Sequence, residues 1–269
     1  MRKLTPVLAL VMGMSSASAM ANDTITIEDL PKIQSVIQSA VSPDGDSVAF
    51  TRSVPRTLYV DKDGRNFSNL YLVDADGVER PYITGKHSVS SIQWSADGKF
   101  VYFLAKFKGD KFTKLYRIPV NGGERQAVLA LKNTSISGYQ LNPDGKTVAL
   151  LAMPAKDKSE KKLKELGFKA EVYEMGLKNK QLFVTDLVVE SKPLSIEAVN
   201  IEQFVSQVNW SKDGKQMLVK TQASALIDDQ YMKSQWHLFD VAQQKITMSL
   251  TTEGKLGTAE FSFDGKYIA

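Results

Sequence analysis

The sequence predicts an all-β fold, a β-propeller of four-stranded antiparallel blades, on three observations. A short turn unit ending in Asp-Gly recurs five times along 269 residues. The Asp-Gly pairs are spaced by 53, 47, 69 and 51 residues, the period of one blade. Between them lie further short apolar runs with their own turns, giving about four strands per unit. One blade cannot bury both faces of its sheet. Stacking of neighbours buries the rest, so the repeat itself argues for a ring.

The elements follow in chain order. Met1-Arg2-Lys3 and the apolar stretch Leu4 to Met14 read as an export signal, with small residues Ala19-Met20-Ala21 suiting cleavage after Ala21. The apolar stretch is about half the length that spans a bilayer. No later segment is long and apolar enough to cross, so the expectation is a mature protein without a membrane span, periplasmic or secreted. Residues 22–39 form a lead-in. Within it Thr26-Ile27-Glu28-Asp29 resembles a capping box, and Leu30 to Ile37 reads as a short helix.

Residues 40–269 form the propeller. The units run Ala40–Phe50, Gln93–Phe103, Gln140–Leu150, Asn209–Val219 and Glu260–Ala269. In each, an apolar residue ends one strand (Val41, Trp94, Leu141, Trp210 or Phe261), Asp-Gly reverses the chain, and a run such as Phe100–Phe103 starts the partner strand. Asp bonds its own backbone locally, and Gly accepts positive φ without a Cβ clash. Leu70–Val73, Leu115–Ile118, Leu182–Val184 and Trp236–Phe239 supply further strands. Lys156 to Leu166 is a charged helical insertion that lengthens the third interval, either a solvated loop or a flap at one mouth of the propeller. The sequence stops at Tyr267-Ile268-Ala269, inside the strand after the fifth turn. The expectation is about four to five blades of an incomplete ring, a piece of a longer protein.

Composition narrows the chemistry. Lys and Arg number 34 against 30 Asp and Glu, intermixed along the chain, which points away from nucleic acid. The absence of cysteine excludes disulfides and thiolate nucleophiles. The serine peptidase elbow Gly-x-Ser-x-Gly is missing, as are phosphate-loop and dinucleotide patterns. His87 and His237 read as structural. Asp61-Lys62-Asp63-Gly64 and Asp74-Ala75-Asp76-Gly77 lack the further ligands of a calcium loop and read as hairpin turns. Trp94, Trp210 and Phe261 recur at one repeat position and read as core layers. No cofactor is called for. Asp228-Asp229 with Tyr231 remain as the best polar site, either a capped turn or a binding group at a propeller mouth.

Taken together, these residues resemble a known family. The Ser-Pro-Asp-Gly-type unit resembles TolB-like propellers. Ile27–Leu30, Lys164–Glu174 and Leu226–Met232 further resemble the N-terminal propeller of bacterial prolyl oligopeptidase-type (S9) serine peptidases, the acylaminoacyl-peptidase and dipeptidyl-aminopeptidase-like group. The resemblance implies a propeller covering a C-terminal α/β-hydrolase domain and admitting short peptides. It places the catalytic Ser, Asp and His in that hydrolase domain, so no catalytic residue is carried over to this chain. Several members recognise a substrate N-terminus with propeller acids, a role the resemblance offers to Asp228 and Asp229. A non-enzymatic TolB-like periplasmic scaffold is the alternative, and a propeller enzyme with its site in the central channel is a third class.

Overall fold

The computed structural model describes residues 25–155, 157–170, 174, 176–189, 192–252 and 255–269. The expected export signal lies outside the described residues, as do Glu171, Val172 and Tyr173 of one resemblance segment.

Four antiparallel sheets follow one another along the chain. The first holds β1 (Val36–Val41), β2 (Ser47–Val54), β3 (Phe67–Asp74) and β4 (Glu79–Ile83) in that order. The second holds β5 (Ser90–Trp94), β6 (Phe100–Ala105), β7 (Lys114–Pro119) and β8 (Gln126–Leu129). The third holds β9 (Ile136–Leu141), β10 (Thr147–Ala152) and β11 (Gln181–Asp186). The fourth holds β12 (Phe204–Trp210), β13 (Gln216–Gln222), β14 (Gln235–Asp240) and β15 (Lys245–Leu250). Residues 260–269 begin a fifth hairpin, in which Phe261 pairs with Ile268. This is the expected propeller, with two departures.

The first departure is the third blade, which among the described residues has three strands rather than four. None of the described residues after β11 pairs along it. Leu194 instead lies parallel to Leu131, donating its N–H to Ala130 O and accepting that of Lys132. Pro193 precedes this step and has no N–H to give a ladder. The second departure is the lead-in. A 3-10 helix covers only Ile27–Lys32, closed by the Asp29 carboxylate, which accepts the Thr26 N–H and hydroxyl at 3.1 and 2.9 Å. Val36 and Ile37 belong to β1, not to a helix. Both are β-branched, and the neighbouring β2 offers them a pairing edge.

The core is a set of seams between blades. Leu70, Val101 and Phe103 fill the first, Leu104, Leu115 and Leu150 the second, and Leu182, Val205 and Met217 the third. A fully buried side chain of this size contributes about 1.5–3 kcal/mol. Inner strands such as β6 and β10 are covered on both faces, which explains their unbroken apolar runs. The outermost strand β15 is largely exposed.

The first strands β1, β5, β9 and β12 contact one another in order around the axis. None of their 24 residues is charged. Amides and indoles stitch them together. Gln38 accepts the Ile92 N–H at 3.1 Å. Gln93 donates to Tyr139 O at 3.2 Å and accepts the Leu141 N–H at 3.1 Å. The Trp94 indole donates to Ala40 O at 2.8 Å, and that of Trp210 to Gln140 O at 3.0 Å. These two tryptophans are fasteners between blades, in keeping with the core role read from their repeat position.

The Asp-Gly turns share one hydrogen-bond code. In four of them a serine hydroxyl donates to the aspartate two residues on: Ser42 to Asp44, Ser95 to Asp97, Ser211 to Asp213 and Ser262 to Asp264, at 2.5–2.7 Å. The same serine oxygen accepts the N–H that opens the next strand, and the glycine sits at φ between +67° and +83°. The third turn carries Asn142 in place of serine. Its amide reaches across to the fourth blade and donates to Gly214 O at 3.1 Å.

Candidate functional site

Strand direction sorts the loops onto two ends. In each blade the first strand runs toward its Asp-Gly turn and the second runs away. The connections from second to third strand therefore all emerge at the end opposite the Asp-Gly turns. They are residues 55–66, 106–113, 153–180 and 223–234. The helical insertion and the Asp228 segment thus share one face.

In the first blade Arg56 organises the loop. Its guanidinium lies 4.3 Å over the Phe67 ring and donates to Arg65 O and Lys62 O at 2.8 and 2.9 Å. Asp61 accepts the Thr57 N–H and pairs with Lys86. These contacts, Lys86 first, hold its carboxyl below the usual 3.8. Asp61–Gly64 is therefore part of a pinned surface loop rather than a hairpin turn. Asp74–Gly77 does form the turn between β3 and β4, with Asp74 accepting the Val78 N–H at 2.9 Å.

The third blade carries the insertion. Helix α1 spans Lys158–Glu165, with Asp157 capping it by accepting the Ser159 N–H at 2.8 Å. Glu160 ties the helix to Lys178 at 3.0 Å. Leu163, Leu166 and Phe168 are exposed. Beside the insertion a cleft of about 750 Å³ opens, with Asn179 donating to Glu202 O and Thr134 to Met153 O along its rim.

In the fourth blade Asp228, Asp229 and Tyr231 lie on α2 (Ile227–Met232). They differ sharply in environment. Asp229 is buried, accepting from Ser224 Oγ at 2.6 Å and pairing with Lys233 at 2.9 Å. The Ser224 hydroxyl first, then Lys233, lowers its pKa from 3.8. Asp228 and Tyr231 are exposed on the same short helix. Asp229 thus sets the helix, and Asp228 and Tyr231 offer a carboxylate and a phenol to anything that approaches.

Sequence reasoning missed two further polar groups at this end. Gln222, at the end of β13, donates to Ser224 O at 2.8 Å while its buried Oε1 has no partner. Lys180 sits half-buried with its ammonium 5.0 Å from the Phe204 ring, and burial lowers its pKa. Neither belongs to a motif, so only the fold brings them to this end.

The histidines take the structural roles read for them. His87 packs edge-on against Phe107 at 4.9 Å. His237 is buried, with Thr221 Oγ1 and Ser249 Oγ each 2.8 Å from a ring nitrogen, and burial lowers its pKa. The Ser249–His237 contact lacks a carboxylate behind the imidazole, since Thr221 occupies that place. It ties three strands together and does not form the acid-supported pair of a serine nucleophile.

No protein-family model and no curated relative matches the sequence. Solved structures do. The acylaminoacyl peptidase of Pyrococcus horikoshii superposes with a TM-score of 0.56 at 14% identity, over 81% of this chain and 33% of its own. A prolyl endopeptidase gives 0.52 at 18% identity, over 87% and 32%. TolB from Acinetobacter baumannii gives 0.51 at 16% identity, over 87% and 48%. The fold is therefore a propeller of the kind found in TolB and in these peptidases. The chain spans about half the length of that TolB and about a third of the peptidases.

Proposed function

We propose that this chain is the substrate-gating propeller of an exported serine peptidase of the prolyl oligopeptidase type. Residues 1–21 are then the export signal, 22–39 the lead-in and 40–269 the propeller, with the catalytic α/β-hydrolase domain C-terminal to residue 269. The observation that carries the reading is the unequal elaboration of the two ends. Both α-helices and the 28-residue connection 153–180 lie on the end that presents Asp228 and Tyr231. A propeller serving only as a spacer has no use for a polar helix held open by a buried aspartate.

In this reading, peptides pass the propeller and folded proteins do not. Asp228 accepts the N-terminal ammonium of a peptide, Tyr231 hydrogen-bonds its backbone, and Asp229 fixes the helix through Ser224 and Lys233. Bond cleavage belongs to the hydrolase domain, and the propeller requires no cofactor. The likeness to TolB favours a second reading, a periplasmic scaffold that binds an envelope protein.

A fluorophosphonate probe separates the two. The expected result is labelling of the product of the whole source gene and none of this chain alone. A whole product that takes no label would overturn the peptidase reading and leave the scaffold.

A further inference from the structure

The outer edge of the third blade has a counterpart in the first blade that shows what fits it. Leu187 donates its N–H to Lys146 O at 2.6 Å, and Val199 donates its N–H to Leu182 O at 2.8 Å. Main-chain groups alternate sides along a paired strand, so Leu182, Val184 and Asp186 turn theirs outward. Those of Val184 and Asp186 have no partner among the described residues. The first blade fills the same edge with β4. Leu70 sits opposite Thr51 as Leu182 sits opposite Leu151, and β3 and β11 both end in aspartate, Asp74 and Asp186. Six residues after each aspartate comes a cation and then a proline, Arg80-Pro81 and Lys192-Pro193. Arg80 lies opposite Leu72 and pairs with Asp74 at 2.9 Å, and Pro81 lies opposite Tyr71 within the paired strand. Asp186 and Lys192 are exposed, and neither has an ion-pair partner among the described residues.

We propose that residues 192–198 are a strap with two positions. In the present one Leu194 is parked on Ala130 and Lys132 of the second blade, and the main chain of residues 195–198 has no partner among the described residues. In the other, the strap lies antiparallel along β11 as the fourth strand, with Lys192 opposite Val184 and paired with Asp186. The positions exclude each other. Tyr82, the counterpart of Leu194, packs in the seam to the following blade, whereas Leu194 packs in the seam to the preceding one. Closure hides an edge that would otherwise template another strand. It also takes Leu194, Ser195 and Ile196 out of the wall of the cleft of about 750 Å³. The strap is thus a side door to that cleft, whichever function the propeller serves.

Cysteine pairs in the whole gene product, read as linked peptides by mass spectrometry, test this. This chain has no cysteine of its own, so every link within it is introduced. Val184→Cys/Lys192→Cys is expected to link readily under mild oxidation. Thr185→Cys/Lys192→Cys, one step out of register, should link several-fold less. Equal linking of the two pairs, or none from the first, would overturn the strap. A link between two copies would assign the edge to a second molecule and overturn it as well. Hydrogen–deuterium exchange over residues 182–186 reads the charge pair. Lys192→Glu should speed exchange several-fold, and adding Asp186→Lys should restore the parental rate. Exchange unchanged by Lys192→Glu would overturn the closed position.

Discussion

The two ends of this propeller are built by opposite rules. At the Asp-Gly end, five turns repeat one sequence unit, and four share one hydroxyl–carboxylate contact. Their polar groups are satisfied locally. At the other end the connections differ in length and secondary structure, although in three of them a nearly buried aspartate pairs with a lysine, Asp61 with Lys86, Asp110 with Lys114 and Asp229 with Lys233. One is stapled by an arginine, one carries a helix capped by Asp157, and one carries a helix set by a buried aspartate. Repetition marks the scaffold, and departure from repetition marks where side chains are left free for a partner.

This contrast can be broken by substitution, most severely at the repeated end. Gly45 and Gly214 occupy the same turn position at φ +83° and +70°. A Cβ on Gly45 meets nothing, whereas one on Gly214 drives into the Asn142 amide. Gly45→Ala should therefore cost only the left-handed backbone penalty, about 1–2 kcal/mol. Gly214→Ala should cost about 1–2 kcal/mol beyond that, because the Asn142 bond to Gly214 O is lost as well. Urea unfolding of both variants gives the difference, and equal losses would show that the third turn has no special role.

A smaller effect concerns acid. Asp44, Asp97, Asp213 and Asp264 all have pKa values below the ordinary 3.8, with the serine hydroxyl the largest cause and a backbone N–H the next. A depressed folded value means that these groups stabilise the fold above the unfolded value. That contribution is lost as pH falls through the folded values. The melting temperature should thus drop below about pH 3.8, the unperturbed carboxylate value. Ser95→Ala should lower it at pH 7 and flatten the acid slope. A variant that keeps the parental slope would remove the hydroxyl from this account.

The smallest effect is expected at the variable end. Phe168 is 68% exposed on the insertion. Phe168→Ser should change stability by no more than about 0.5 kcal/mol. A larger loss measured by thermal unfolding would mean that this end is core rather than contact surface, and the contrast between the ends would fail.

Much of the fold was legible because its signals are local. Asp-Gly with a preceding serine is a self-contained turn, and Leu115–Ile118 or Trp236–Phe239 reads as a strand from composition alone. The two misreadings involve longer-range choices. Val36 and Ile37 fit a helix face as well as a strand, and the pairing of Val36 with Arg52 and of Gln38 with Thr51 on β2 decides between them. The missing fourth strand of the third blade depends on Leu194 meeting Leu131, far away in sequence. At the site, the pair Asp228-Asp229 was visible but its division of labour was not. Ser224 and Lys233 claim one carboxylate and leave the other, a distinction that needs coordinates.

Asn142 replaces a hydroxyl with an amide at one turn of five; its oxygen still accepts the Asp144 N–H within the turn, and its longer side chain adds an outward bond. A single codon thereby turns a self-contained corner into a rivet. The rivet adds to the Trp210 bond already joining the third and fourth blades, while Gln38 and Trp94 join the first to the second and Gln93 the second to the third. Stiffness in a modular ring can thus be tuned joint by joint without rewriting any sheet.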